Sequence, residues 1–497
     1  MSATRSPGAS VFVLAVLSAG ALSYATIRAI RIPIVHDEAI THLLFVAGRW
    51  AGSLDPRAPF PENNHYLNSV LSAAAWKTFG GRELSLRLPS LLAYVLFLAS
   101  TARLSLRQTR GPLIVAAFLL LNANPFVMEF FSLSRGYGLG LAFLAAGVSL
   151  LVSALERPRK AAVAASLGIF CFGLAALSHL SFLLPLAAGV AAGGARGAFL
   201  LFSRRQPPEP DRPAAPSLLI PLLMSVPFFL VLVPYSIELS RAGRFYMGGT
   251  HGLWSDSVVS LLAVLRDRPA EEAARAPLLE MAVAIALLFI AATILLRPHF
   301  LNPSVIVPAV LLALTAAGVE LAARLFDTRY PVERAALPLQ FLFLAAVTAA
   351  GGDWIIHERS GWRLVSVAVM LAAILAGANF LRTANTTRTL TWRYDADNLL
   401  MLDDLDRARR GRGFTRPVRL GITWLMEPSI NYYRTERKLE WMLPVGRGGL
   451  TEGDPDFVYF TPKDAETARH LNLAPVATYP DSGNQLAARN VAPQRGR

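Results

Sequence analysis

The sequence is short of charge. Only 16% of its 497 residues are Asp, Glu, Lys or Arg, against about 25% in an ordinary soluble domain. With 54% hydrophobic residues and a mean hydropathy of +0.42, it lacks the polar surface needed to coat a water-soluble globule. Cysteine is almost absent: Cys171 stands alone inside an apolar run, so no intrachain disulfide can form. Lysine is scarce too, limited to Lys77, Lys160, Lys438 and Lys463, so the positive charge is almost all arginine. A net charge of +14 and a pI near 10.4 would suit a nucleic-acid binder. The arginines, however, cluster in short connectors between apolar runs, where a membrane protein keeps its cytoplasmic positive charge, and this argues against nucleic acid as the partner. Acidic residues are missing from the middle of the apolar runs. An ion-coupled transporter usually carries ionisable groups at that depth.

What is present is a succession of apolar stretches of about 20 residues, the length that crosses a bilayer. They fall at 9–30, 83–106, 112–133, 138–155, 160–178, 180–202, 217–238, 277–297, 304–323, 336–356 and 362–382. The first reads as an uncleaved span, because Arg28 and Arg31 follow it without a small-residue cleavage site. Arg103, Arg107 and Arg110, then Arg157, Arg159 and Lys160, then Arg204 and Arg205, Arg297, and Arg359 with Arg363 occupy alternate connectors. Those connectors are predicted to be cytoplasmic, and 31–82, 134–137, 239–276, 324–335 and the tail from 383 to face outward. This parity needs 64–80, with Asn64, His65, Asn68 and Lys77, to lie in the membrane plane. Residues 38–52 are a second interfacial candidate, with Ile40, Leu43, Leu44, Ala47, Trp50 and Ala51 at helical spacing. Pro56, Pro59 and Pro61 join the two, and 203–216 is a Pro-rich connector.

The predicted fold class is therefore an all-α polytopic membrane bundle over 1–382, with about eleven transmembrane helices and two interfacial helices in the outer loop 31–82. A small extracytoplasmic α/β domain follows over 383–497. Its predicted elements are a helix at 395–410, a strand within 418–425, a helix from near Pro428, a strand at 456–460 and further strands at 474–479 and 485–490.

The ionisable residues gather at the outer ends of the spans, which favours an interfacial active site over a translocation path. His36-Asp37-Glu38 follows the first span. A partly desolvated carboxylate there suits general-base work, and the same pattern suits helix capping by Asp37 with Glu38 in the first turn. Glu38 and His42 share a helix face and, with His36, leave room for a divalent metal, but the spacing matches no strong zinc motif. Arg87 in ELSLRLPS, Arg135 and Tyr137 in SLSRGYG, and Arg329, Tyr330 and Arg334 in DTRYPVER break the positive-inside pattern. Each arginine either pairs with a nearby carboxylate, such as Glu83, Asp327 or Glu333, or meets a phosphate, a carboxylate or a lipid headgroup. His179 sits between two spans on the outer side, and Glu129 and Glu320 near outer span ends; each either lines a cavity or supports helix packing.

Five segments together resemble the GT-C superfamily of membrane glycosyltransferases, which includes protein O-mannosyltransferases and the lipid A aminoarabinose transferase. They are HDEA (36–39), NNHYLNSVL (63–71), FGGRELSLRLPSLL (79–92), NPFVMEFFSLSRGYGL (124–139) and TRYPVERAALPL (328–339). The resemblance implies an inverting transfer of one sugar from a polyprenyl-phosphate donor at the outer face of a bacterial cytoplasmic membrane. Asp37 matches the family's loop acid, the expected base, and Glu38 would position it or contact the sugar. Arg135 with Arg329 or Arg334 would neutralise the departing phosphate. Arg87, His65, Tyr137, Tyr330 and His179 complete the implied donor site. Some members carry a second acid where this chain has Arg135-Gly136-Tyr137, so a metal shared by two acids is not favoured, and no cofactor is assigned. The partners implied are the lipid-linked donor, membrane lipids and an acceptor (protein, lipid or glycan) that the sequence does not name. The C-terminal domain is a candidate for choosing that acceptor. A flippase for a lipid-linked glycan, or a non-catalytic scaffold, are the alternatives.

Overall fold

The computed structural model of the chain describes residues 7–157, 160–202, 219–245, 248–269, 275–296, 302–357 and 362–490. Arg159, Arg297, Arg359 and the whole connector 203–216, with Arg204 and Arg205, lie outside the described residues.

Among the described residues, nine helices are long and apolar enough to cross a membrane. They are α1 (Pro7–Arg31), α4 (Glu83–Gln108), α7 (Gly136–Glu156), α8 (Ala161–Ser178), α10 (Leu219–Arg241), α12 (Pro277–Leu296), α13 (Pro303–Phe326), α14 (Leu337–His357) and α15 (Trp362–Thr383). Two expected spans come out differently. The stretch 112–133 forms two helices, α5 (Pro112–Asn122) and α6 (Pro125–Ser132), bent by 65°. Pro125 has no N–H to continue the ladder, and the Asn124 side chain caps the new helix by accepting from the Phe126 and Val127 amides at 3.0 and 3.4 Å. Counted as one broken span, the pair makes ten. The stretch 180–202 opens with a tight turn at Leu180–Phe182 before α9 (Leu183–Phe202), and its apolar part, Leu180–Ala195, is too short to qualify as a span.

In the first long loop, the expected helix over 64–80 is α3 (Tyr66–Phe79). The one expected over 38–52 is shorter: α2 (His36–Thr41) widens into a π-helical turn at His42–Val46 and stops at Gly48. A β-carbon at Gly48 would collide with the Leu43 carbonyl, so only glycine admits that close approach.

The chain divides into two compact units. One comprises Met1–Thr26, Leu54–Leu71 and Leu88–Ala384. Its aromatic centre stacks Tyr94 on Phe131 (4.4 Å between centroids) and Phe97 on Phe131 (5.0 Å). α7 and α8 approach closely because Gly147 leaves room for the Phe172 ring, and α8 and α10 because Gly173 leaves room for the Phe228 ring. Buried polar side chains here pair with one another, as Asn122 Nδ2 does with Thr101 Oγ1 at 3.0 Å and Thr348 Oγ1 with Gln108 Oε1 at 3.0 Å. Phe12, Leu278, Leu295 and Leu364 are each at least 70% exposed. Water would make that costly, and hydrocarbon does not.

The other unit comprises Ile27–Ser53, Ser72–Arg87 and Asn385–Arg497. Its sheet has the order β1-β2-β4-β3, built from β1 (Leu420–Ile422), β2 (Phe457–Phe460), β3 (Leu473–Thr478) and β4 (Gln485–Arg489). β1 and β2 run parallel, with Leu420 opposite Phe457, and the other pairs are antiparallel. Three further helices are α16 (Asn398–Gly411), α17 (Glu427–Glu436) and α18 (Ala465–Arg469). Met401, Leu405, Ile422, Ile430, Phe457 and Leu486 share one hydrophobic core with Ile34, Ala39, Val46 and Leu86. The expected C-terminal elements thus appear close to their expected places, and their core is completed by segments from 32–46 and the start of α4.

Candidate active site

Within the second unit, residues 32–42 are buried with a single exception: Asp37, whose side chain is half-buried. Val35 occupies the N-cap position of α2, which makes Asp37 the second residue of the helix rather than its cap. A carboxylate in the first turn still gains from the helix dipole, but N-capping no longer accounts for it.

Its neighbours are held on every side. Glu38 is fully buried and its carboxylate takes Arg87 Nε on Oε1 at 2.9 Å and Nη2 on Oε2 at 2.6 Å. The remaining Arg87 donors reach the carbonyls of Ala29, Ile32 and Pro33 at 3.0, 2.6 and 3.0 Å, so one guanidinium takes a carbonyl of the last turn of α1 and two of the segment that follows it. The His36 amide donates to Asp395 Oδ2 at 2.7 Å, and the Ile34 amide to Tyr433 Oη at 2.7 Å. His36 Nδ1 donates to the Leu425 carbonyl, and its ring meets Tyr394 and Trp424 edge-on at 6.4 and 6.3 Å. Asp395 accepts from Ser429 Oγ at 2.6 Å and Asn398 Nδ2 at 2.8 Å; burial is the main cause of its carboxyl being pushed up to about 7, and the charge of Asp37 adds to it. His42 lies against Trp76 and Tyr432 with Nε2 3.1 Å from Glu436 Oε1. Burial lowers its proton affinity more than Glu436 raises it. Glu38 and His42 are therefore engaged with different partners, and among the described residues no group of three or more His, Cys, Asp or Glu side chains is placed to hold a metal ion.

The first unit carries a separate constellation. Arg135, buried at the N-cap of α7, donates Nη2–H to His65 Nε2 at 2.7 Å. Because a guanidinium is always a donor, His65 Nε2 must be the acceptor and the ring neutral. The rings of His65 and His179 lie 4.5 Å apart and those of Tyr137 and His179 4.0 Å apart. His179 Nδ1 accepts from the Ser181 amide at 3.0 Å, so His179 in its neutral form carries its proton on Nε2. Burial holds both imidazoles well below the usual histidine range, and the charges of Arg135 and Arg334 add to it. Gly136 makes the arrangement possible, since a β-carbon there would strike the Ser178 carbonyl and His65 Nδ1. Asn68 steadies the approach to Arg135 by donating to the Ser134 carbonyl at 3.2 Å.

The loop between α13 and α14 is also in this unit. Arg334 is half-buried, with Nη1 3.8 Å from Glu333, and Glu333 adopts a left-handed φ of 45°. Tyr330 pairs its backbone with Gly249 and its hydroxyl with Glu320 at 3.2 Å, while Arg329 is exposed. Arg135, Tyr137, His65 and His179 thus form one cluster, with Arg334 in electrostatic range. The partners of Tyr330 are instead Gly249 and Glu320, and Arg329 is exposed. Sequence reasoning did not single out Asp395, Ser429 or Tyr433, although the segments WRYDADNLL and EPSINYYR that contain them stand out in the C-terminal region.

The fold defines a polytopic membrane protein with a small four-stranded sheet near its C-terminus. The structure is similar to the crystal structure of ArnT from Cupriavidus metallidurans bound to undecaprenyl phosphate, over 99% of this chain and 100% of that one, with a TM-score of 0.52 and 14% identity. It is also similar to the arabinosyltransferase EmbB from Mycobacterium smegmatis (TM-score 0.44, 14% identity, 94% of this chain and 45% of that one). A third similar structure is the Archaeoglobus fulgidus oligosaccharyltransferase in complex with Zn and sulfate (TM-score 0.42, 12% identity, 94% and 73%). At these identities the likeness is one of fold. No protein-family model and no curated sequence matches the chain.

Proposed function

We propose that the protein is an inverting glycosyltransferase that moves a sugar from a polyprenyl-phosphate donor to an acceptor at the outer face of the membrane. The observation that carries this reading is Asp37: the one side chain of 32–42 left partly open, in a turn whose neighbours are all committed. The whole-chain likeness in fold to ArnT, whose crystal structure holds undecaprenyl phosphate, supports the donor class. In the proposed step an acceptor hydroxyl attacks the anomeric carbon and the bond from that carbon to the phosphate oxygen breaks. Asp37 takes the hydroxyl proton, and the departing electron pair stays on the phosphate. Arg135 and Arg334 are the proposed phosphate partners, because charge-assisted contacts from guanidinium suit an oxyanion that gains charge as it leaves. Glu38 and Arg87 hold the turn that carries the base.

The test is made on the full chain in lipid vesicles, with a panel of radiolabelled undecaprenyl-phosphate sugars and crude envelope acceptor. Label should leave one donor with the wild type and not with Asp37→Asn. Label that crosses the bilayer still joined to its lipid, equally in both proteins, would replace this reading with a flippase. Orientation is tested separately. Cys171 is the sole cysteine, so Cys171→Ala provides a clean background in which Arg57→Cys, at an exposed position, should react with an impermeant maleimide from outside intact spheroplasts. Protection there until the membrane is opened would overturn the outward placement.

A further inference from the structure

The amide of His36 opens α2, and the first N–H groups of any helix need an acceptor from elsewhere. Val35, at the N-cap, has no side-chain oxygen to offer. The acceptor is Asp395, 359 residues away in the chain, at 2.7 Å. A second amide of the same turn, Ile34, is taken by Tyr433, and the His36 ring is tied to the Leu425 carbonyl. Asp395, Leu425 and Tyr433 all come from the C-terminal segment, and Asp395 itself is inaccessible to solvent. Three donors converge on its two oxygens, His36 N–H on Oδ2 and Ser429 O–H with Asn398 N–H on Oδ1. Two of the three, the His36 and Asn398 N–H groups, can only donate and take one oxygen each, an arrangement that favours the carboxylate, while the Ser429 hydroxyl also reaches the Met426 carbonyl at 3.0 Å. It is a costly device for ordering a turn alone, because a neutral acceptor would satisfy the amide without burying a charge.

We propose that Asp395 is a positioning residue for Asp37: by capping α2 from the C-terminal segment it fixes the angle at which Asp37 meets the acceptor hydroxyl, and the negative charge of its ionised form strengthens Asp37 as a proton acceptor. This rests on the reading of Asp37 as the base. It makes residues 385–436 part of the catalytic machinery, in addition to any part they take in choosing the acceptor.

The titratable groups that face Asp395 are Asp37 on α2 and Tyr459 on β2, while α16 and α17 present the neutral Asn398 and Ser429. Its carboxyl titrates near 7, so its ionisation changes within the working range of an enzyme. Below that pH the carboxyl gains a proton, the Ser429 hydroxyl is released to the Met426 carbonyl, and the negative charge beside Asp37 disappears. The Ser429 hydrogen bond lowers the proton affinity of Asp395, so Ser429→Ala raises it without touching the bond to His36.

The experiment compares wild type, Asp395→Asn, Ser429→Ala and Asp37→Asn as full-length proteins in nanodiscs. Two readouts are used: hydrogen exchange of the peptide covering 34–42, and the pH profile of transfer from the labelled undecaprenyl-phosphate sugar that the wild type discharges. In Asp395→Asn, exchange over 34–42 should rise at least tenfold and the transfer rate should fall at least tenfold, with donor binding within twofold of wild type. In Ser429→Ala the acid limb of the pH profile should move to higher pH with the same donor binding, a change that a merely structural contact would not produce. If Asp395→Asn does not fold, Ser429→Ala decides alone. Wild-type pH profiles in the folded variants, or faster exchange with unchanged transfer, would overturn the proposal while leaving Asp37 as the base. Full activity in Asp37→Asn would instead remove the base reading itself, and this inference with it.

Discussion

Arg87 grips both oxygens of Glu38, at 2.9 and 2.6 Å, and neither side chain is exposed. A buried pair of this kind contributes little beyond what a well-packed apolar pair would, but removing one partner strands the other charge. Glu38→Gln or Arg87→Met should therefore each lower stability by about 3–5 kcal/mol. The double variant Glu38→Met with Arg87→Met should be less destabilised than the sum of the two. Thermal unfolding in detergent reads this as a lowered midpoint, and additive losses would show that the two side chains act independently.

Asp37→Asn should behave in the opposite way. The side chain is half-open and Asn keeps its size and shape, so the unfolding midpoint should stay close to wild type. Transfer should fall by about 10²–10⁴-fold, the usual contribution of a positioned base, with donor affinity retained. Equal losses of binding and rate would point to a role in holding the sugar instead.

Arg135→Lys keeps the charge and loses the planar fork that reaches His65. Donor affinity should weaken by about tenfold, which corresponds to ~1.4 kcal/mol. Titration with undecaprenyl phosphate monitored by thermal shift measures it. An unchanged affinity would move the phosphate site away from this arginine.

His65 and His179 bind protons less readily in the folded protein than in the unfolded chain, because of burial and the neighbouring arginines. Between the unfolded value near 6.5 and the lower folded values, the unfolded chain binds more protons. The stabilisation is complete above about pH 6.5 and is lost as pH falls below it. The unfolding midpoint of the wild type should drop between pH 7 and pH 5, and His65→Gln should flatten that dependence. A slope identical to wild type would show that His65 does not carry it.

Gly136→Ala places a methyl group against the Ser178 carbonyl and His65 Nδ1. Overpacking of this kind costs roughly 1–3 kcal/mol, and the shift of His65 should loosen its contact with Arg135. Stability and undecaprenyl-phosphate affinity should fall together. A stable variant with normal affinity would mean that the loop carrying His65 can yield.

Much of this molecule could be read from local pattern. The apolar runs predicted nine spans that the structure forms, because twenty consecutive apolar residues have few other stable destinations. The alternating VRLGITWL and DFVYF segments became β1 and β2, and the acids and arginines expected to matter were those at the ends of spans. The break at Asn122–Pro125 was missed although Pro125 was visible, because overall hydropathy is blind to where the backbone ladder fails. Glu38 as the partner of Arg87, and Asp395 as the cap of α2, were decided by the tertiary structure alone. Residues 49 and 359 positions apart leave no periodicity or spacing for the sequence to carry. Their pairing follows from burial: once Ile34, Ala39, Val46 and Leu86 joined the core of the C-terminal sheet, every polar group taken inside with them needed a partner there, and only the folded chain could supply one.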